Sequence, residues 1–249
     1  MEYIKVFGEI FEGTLLKIVR QLFSNHLYPS AWISNYLKPI YKKGDVKDPG
    51  RYRRLAIGSA FAKLFSQILL KRLIKYIHKN KLISPKQIGF MEGSRTSDHI
   101  FLLQTIIEKV VKKNKKNLYV AFIDFKKAYD TVDRNCLFER LKILGINGLF
   151  RKNIEAMYEN IKYAIKLKNG YLDPIYSNLG LKQGCPLSPM LFNLYIDDVG
   201  IVLMNHVTPL IFIMINHFLY ADDLVLLSYT SSGLQRSLDE LSKYAIKNT

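Results

Sequence analysis

The pattern of apolar runs predicts an α+β fold, with an antiparallel sheet and helices packed on one face of it. Three observations lead there. Residues 118–125, LYVAFIDF, are β-branched and aromatic with an acid near the end, which reads as a strand. Residues 210–219 and 224–227 are two further apolar runs, joined at Tyr220, Ala221, Asp222 and Asp223, which reads as a hairpin. Around them, apolar residues recur at the helical spacings of three and four.

Each element follows in order. Residues 10–26 predict an amphipathic helix with Phe11, Leu15, Ile18, Val19 and Leu22 on one side. Pro29 and Pro39 bracket a short extended segment. Residues 58–79 predict a long helix, with Phe61, Leu64, Ile68, Leu69 and Leu73 inward and Lys63, Lys71, Lys75 and Lys79 outward. Ser97 or Asp98 caps a helix running to about Lys113. Residues 134–143 and 148–161 predict helices. Asn169 followed by Gly170 suits a tight primed turn, so residues 163–178 predict a hairpin. Ser188 with Pro189 opens a helix reaching about Leu203, and Ser232 opens a last one carrying Leu234, Leu238 and Leu241. No clean linker appears, so residues 1–117 are expected to form a subdomain packed on residues 118–249.

Composition narrows the function. The 249 residues are 49% hydrophobic and 23% charged, which is globular rather than disordered. Thirty-seven basic residues against 21 acidic ones give a net charge of +16, which points to a polyanionic partner. Cys136 and Cys185 lie far apart with no ligand-spaced His or Cys, against a zinc module or a disulfide framework and in keeping with a reducing compartment. The N-terminal residues carry acids and lack a small-residue cleavage site, unlike a secretory signal. The most apolar stretch, 199–220, is interrupted by Asn205, His206, Pro209, Asn216 and His217, so no membrane span is expected.

The charge is uneven. Residues 38–81 hold thirteen Lys or Arg against Asp45 and Asp48, and Tyr36, Tyr41, Tyr52, Phe61 and Phe65 interleave or border them. Cations neutralise phosphates and exposed rings stack on bases, so this stretch is the expected nucleic-acid or nucleotide contact. The second cluster, Lys109, Lys112, Lys113, Lys115 and Lys116, reads as solvated surface.

Three acids sit at strand ends: Asp124, Asp222 and Asp223. Converging carboxylates repel, and a divalent cation removes the repulsion. Oxygen donors of this kind suit Mg²⁺, which is typically shared with substrate phosphates. A pair of such ions stabilises the attacking and leaving oxygens of phosphoryl transfer. A lone Asp pair is usually turn chemistry; apolar flanks and a third acid on another strand shift the reading towards a site. Asp197 and Asp198, after Tyr195, spell the same pattern inside a helix. Consecutive helical residues point about 100° apart, so these two are expected to be solvated or hydrogen-bonded instead.

At these residues the sequence resembles reverse transcriptases. FIDFKKAYD (122–130) is similar to their motif A, GLKQGCPLSPMLFN (180–193) to motif B and FLYADDL (218–224) to motif C. Upstream, PIYKKGD (39–45), YRRL (52–55), QIGF (87–90) and RTSD (95–98) resemble the fingers segments of non-LTR, LINE-type retrotransposon enzymes. The resemblance runs from about residue 20 to 245. It implies a right-hand polymerase with residues 1–117 as fingers and 118–249 as a palm with a ferredoxin-like antiparallel sheet. It further implies RNA-templated DNA synthesis with two Mg²⁺ ions (Mn²⁺ as a substitute), an RNA template, a DNA primer or target, dNTP, and an intracellular setting, nuclear or cytoplasmic, of which the family favours the nucleus. Asp124, Asp222 and Asp223 match the catalytic acids, with the Phe125 carbonyl as a further metal ligand. Tyr129 matches the aromatic gate against ribose. Gln183 and Gly184 match the residues near nucleotide and template, and Arg53 and Lys38 the triphosphate contacts.

Two departures are expected to matter. Arg54 and Leu55 stand where the family has Pro-Ile, which alters the local turn. The chain also ends 26 residues after Asp223, before motif D and the thumb, which reads as a palm truncated after motif C in a fragment of a longer frame or a decayed copy. The competing reading is therefore a remnant that binds nucleic acid without turnover. A group II intron type of enzyme is the third, and the fingers wording fits it less well.

Overall fold

The computed structural model describes residues 8–167, 170–204 and 215–247, with the side chains of 8–11, 166, 167, 171, 204 and 247 left aside. In chain order the α-helices of six or more residues are α1 (Gly8–Asn25), α2 (Ala60–Asn80), α3 (Thr96–Ile107), α4 (Arg134–Ile143), α5 (Gly148–Tyr158), α6 (Ser188–Ile196), α7 (Val199–Met204) and α8 (Ser231–Lys247). The strands are β1 (Ser34–Tyr41), β2 (Tyr52–Ile57), β3 (Tyr119–Asp124), β4 (Lys162–Leu167), β5 (Gly170–Tyr171), β6 (Ile175–Tyr176), β7 (His217–Tyr220) and β8 (Asp223–Ser228). Two compact units result, each built from two stretches of chain: 1–76 with 137–188, and 77–136 with 189–249. The boundary expected at 117/118 falls inside the second unit.

The first unit holds a mixed sheet. β1 pairs antiparallel with β2 and parallel with β4, and β4 pairs with β5 and β6. The hairpin around Gly170 is present, with Lys166 opposite Tyr171, though its residues 168 and 169 lie outside the described ones. It joins the sheet of β1 and β2, not the sheet carrying the acids. Pro39 lies beyond Leu37, the last β1 residue paired with β4, where a missing N–H is tolerated. α2 buries Leu69 and Leu73 as expected, with Ala62 and Phe65 beside them, while Leu64 and Ile68 are half-buried and Phe61 is 42% exposed. Phe65 is therefore core and not a stacking platform. Asn153, 1% exposed, donates to the Phe23 carbonyl at 2.8 Å and to the Leu149 carbonyl at 2.7 Å, tying α1 to α5. Of the expected α1 face, Leu22 is buried while Ile18 is 46% exposed.

The second unit holds the antiparallel sheet, in the order β3-β8-β7. Of the late hairpin, residues 210–214 lie outside the described ones; β7 and β8 stand as expected. α3 begins at Thr96. The Asp98 carboxylate accepts from the Arg95 N–H at 2.7 Å, and the helix continues as wider π-type turns over Glu108–Lys113. Ile106 and Val110 pack with Phe218 and Leu227, and Val120 and Val225 lie against that cluster. The expected single helix from Ser188 to Leu203 is broken: α6 ends at Ile196 and α7 starts at Val199. α8 starts at Ser231, capped by Thr230, whose hydroxyl accepts from the Gly233 N–H at 3.0 Å. Among the described residues no helix is long and apolar enough to cross a membrane.

Candidate active site

The acids meet through strand register. β3 runs antiparallel to β8 with Asp124 opposite Asp223, and the Phe125 N–H donates to the Asp222 carbonyl at 3.2 Å. Residues opposite one another in such a ladder are about 5 Å apart at Cα. Along β3 the side chains alternate, so Val120, Phe122 and Asp124 share a face. Val120 lies in the α3 cluster, Phe122 is 74% exposed and Asp124 is exposed, so this face opens to solvent towards the acids. Asp222 is half-buried and Asp223 exposed.

The three acids also feel one another's charge. The Asp223 carboxyl is pushed above the ordinary carboxylate range, first by desolvation and then by the charges of Asp222 and Asp124. This is the mutual repulsion that a hard cation would relieve. Among the described residues no three acid, His or Cys side chains are grouped closely enough to hold a metal ion. The donors present, carboxylates with room for outside oxygens, fit Mg²⁺ shared with phosphate and water. The Phe125 carbonyl already accepts from the Ala128 N–H at 3.2 Å, which leaves it a second lone pair.

The acid turn is braced from a place the motif reading did not assign. Ala221 takes a left-handed φ of 55°, unusual without glycine. Its N–H donates at 3.0 Å to Oε1 of Gln87, a side chain 1% exposed that also accepts from the Gly89 N–H at 3.0 Å. Residues 86–88 run beside β7: the Leu219 N–H donates to the Lys86 carbonyl at 2.9 Å and the Ile88 N–H to the Leu219 carbonyl at 3.1 Å. Gly89 is needed there, because a Cβ would stand 2.3 Å from the Ala221 nitrogen. Asn193 then donates to the Gly89 carbonyl at 2.6 Å. The sequence signal for this brace is the QIGF segment, whose resemblance to a fingers motif does not by itself point to the acid turn.

Tyr129 stacks on Phe192, with ring centres 4.9 Å apart and planes at 19°. Its hydroxyl is buried without a hydrogen-bond partner among the described residues. Burial raises the phenol pKa and the charge of Asp222 pushes the same way, so the ring lies beside the acid turn.

The four remaining candidates all fall in the first unit, around β2. Lys38 is opposite Leu55 and Arg53 opposite Ile40, so both exposed cations project from one face, a diagonal step apart. β2 is an outer strand, and its Ala56 N–H donates to the Gln183 carbonyl at 2.9 Å. Gly184, at φ +106°, lies so close that a Cβ would be 2.9 Å from the Ala56 carbonyl oxygen. Tyr36 and Tyr41 nearby are 43% and 44% exposed.

Asp197 and Asp198 are engaged elsewhere. Asp197 accepts from the Ser84 N–H at 2.9 Å and Asp198 from the Tyr244 hydroxyl at 2.5 Å. They occupy the break between α6 and α7, hydrogen-bonded in place of the solvated helix face also considered. Both cysteines are free.

Fold and acid ladder together define a polymerase-type α+β scaffold. The same fold occurs in apo telomerase from Candida tropicalis truncated from its C-terminal domain, with a TM-score of 0.62 at 16% identity over 87% of this chain and 47% of that one. It occurs also in telomerase from Candida albicans in complex with a TWJ fragment of telomeric RNA, with a TM-score of 0.62 at 12% identity over 91% and 43%. The sequence profile of the reverse transcriptase (RNA-dependent DNA polymerase) family matches residues 40–249, and the chain belongs to that family. Its relatives are non-LTR, LINE-type. The Pol polyprotein of the type-1 retrotransposable element R2 of Nasonia vitripennis is 31% identical over 90% of this chain and 22% of its own length. The R2 polyprotein of Popillia japonica is 30% identical over 87% and 30%. The probable RNA-directed DNA polymerase from transposon BS of Drosophila melanogaster is 24% identical over 87% and 24%. The chain thus spans less than a third of the length of these curated relatives.

Proposed function

We propose that the chain performs RNA-templated DNA synthesis, transferring a nucleotide from dNTP to a primer 3′-hydroxyl. The observation that carries this reading is the register of Asp124 against Asp223 with the Asp222 backbone bonded to Phe125. In the reaction the primer 3′-oxygen attacks the α-phosphorus and pyrophosphate leaves. Asp124 and Asp222, with the Phe125 carbonyl, would hold two Mg²⁺ ions (Mn²⁺ in their place), and the metal supplies the charge that stabilises attacking and leaving oxygens. Asp223 completes the negative field. Arg53 presents a planar fork to triphosphate oxygens and Lys38 a point charge. Gln183 and Gly184 bring backbone close to base and template. Residues 1–117 take the fingers role and 118–249 the palm role, as functional regions that share the two compact units.

The test is dNTP incorporation on a primed RNA template with Mg²⁺, by this chain and by a form extended towards the length of its relatives. Incorporation supports the reading; folded protein that binds RNA without incorporation in either form overturns it in favour of a non-catalytic binder. Tyr129 is assigned to sugar selection, its ring braced on Phe192. Tyr129→Ala is expected to raise use of rNTP relative to dNTP by roughly 1–3 kcal/mol of lost discrimination, or about ten- to hundredfold. An unchanged ratio rejects the gate.

RNA affinity is expected to fall with salt, its logarithm dropping by about 0.7 for each phosphate neutralised on a single strand per tenfold rise in salt. Arg53→Ala is expected to reduce that slope by about one contact. A flat salt response removes the electrostatic argument.

A further inference from the structure

The lysine that precedes Gln183 is not on the surface. Lys182 is 4% exposed, and its ammonium lies 5.0 Å from the centre of the Tyr28 ring and 5.8 Å from that of Tyr158. A buried cation needs something in place of water, and the negative faces of two aromatic rings supply it. Both rings are fixed in turn. Tyr28 meets Trp32 edge-on at 5.5 Å and Phe65 at 6.4 Å. The Tyr158 hydroxyl lies 3.1 Å from Ser188 Oγ, and that Oγ donates to the Lys182 carbonyl at 2.8 Å. The same carbonyl accepts from the Cys185 N–H at 3.2 Å. Residue 182 is thus held at both ends, its carbonyl by the loop and its side chain by the rings. The next carbonyl along, that of Gln183, is the one that takes the Ala56 N–H. A pocket of about 230 Å³, bordered by Tyr28, Gly58, Lys182 and Gly184 among others, lies beside the loop.

We propose that Lys182 is a positioning residue: the aromatic cage of Tyr28 and Tyr158 anchors its ammonium and so sets where Gln183 and Gly184 stand on the outer edge of β2. Through those two residues it governs the affinity for the incoming nucleotide. The proposal rests on the reading of Gln183 and Gly184 as nucleotide-binding, and the experiment separates the two.

The first measurement is amide hydrogen exchange on the whole 249-residue chain. Lys182→Met is expected to speed exchange at Ala56 at least tenfold while amides of β3 and β8 keep their rates. Tyr28→Leu, which keeps the lysine and removes one ring, is expected to do the same and serves if Lys182→Met does not fold. Lys182→Arg is expected to stay within threefold, because a guanidinium also sits over aromatic faces. Parental exchange at Ala56 in the folded methionine or leucine variant overturns the cage. The second measurement is incorporation kinetics. Lys182→Met is expected to raise the dNTP KM at least tenfold with kcat within threefold, and arginine to restore it. An unchanged KM in a variant whose Ala56 amide is loosened overturns the link to the nucleotide. Parental protein that incorporates nothing overturns the polymerase reading instead, and the exchange result still decides the cage.

Discussion

Asp222→Asn is expected to lower nucleotide incorporation by on the order of a thousandfold, the scale seen when one preorganised electrostatic group is removed from a reacting centre. The side chain sits half-buried at the turn, while the backbone of the same residue makes the bond to the Phe125 N–H. The substitution leaves that backbone bond in place and removes one of the two charges that push the Asp223 carboxyl up. Stability is therefore expected to hold or to rise slightly at neutral pH and above, and the gain to vanish as acid protonates Asp223. The sign follows from the repulsion: a carboxyl whose pKa is raised by folding costs stability once it ionises, and relief of the raised value returns it. The measurement is single-nucleotide extension alongside a thermal melt. Activity within threefold of the parent would sink the role of Asp222, and a collapsed melt would mean the residue is structural.

The second large effect is expected away from the acids. Gly89→Ala places a methyl group 2.3 Å from the Ala221 nitrogen and 3.0 Å from both the Ala221 Cα and the Tyr220 carbonyl carbon. All three are backbone atoms, so no side chain can swing aside. Overpacking of this kind costs about 3 kcal/mol. For a chain of this size that corresponds to roughly 6–12 °C in Tm. The turn that must move carries Asp222 and Asp223, and a displacement of about 1 Å at a reacting centre costs about a hundredfold in rate. Gly13→Ala is the control: a methyl there meets nothing within 4 Å, in the middle of α1, and is expected to stabilise by up to about 1 kcal/mol. Equal effects of the two substitutions in melting and extension would show that Gly89 does not brace the acid turn.

Local chemistry made much of this site readable. The run before Asp124 is apolar and ends in a polar residue, and the hairpin acids sit between apolar strands, so strand identity follows from short stretches, whereas the meeting of Asp124 with Asp223 is expected from the resemblance of the motifs. What stayed hidden depends on partners distant in sequence. β4 reads as half of a local hairpin, and nothing in its own residues announces the parallel pairing with β1. The break after Ile196 is not announced by periodicity, because the apolar residues resume at Val199 beyond the two acids; it is stabilised by the Ser84 amide and the Tyr244 hydroxyl, which donate to the two carboxylates. Gln87 is a polar residue among many until its amide is found under Ala221. Lys182 has the look of any wet lysine, and only the approach of Tyr28 and Tyr158 shows that it is enclosed.

The interleaving of the two units bears on biosynthesis. Each unit closes only when its second stretch of chain has left the ribosome. β3 emerges long before β8, its sole ladder partner among the described strands, so during translation it waits with backbone groups unsatisfied. A nascent chain arrested between residues 125 and 215 would hold the first acid with nothing to align it. Such a product is a candidate for chaperone capture or aggregation, and messages that end early would yield sticky protein in place of a weak enzyme.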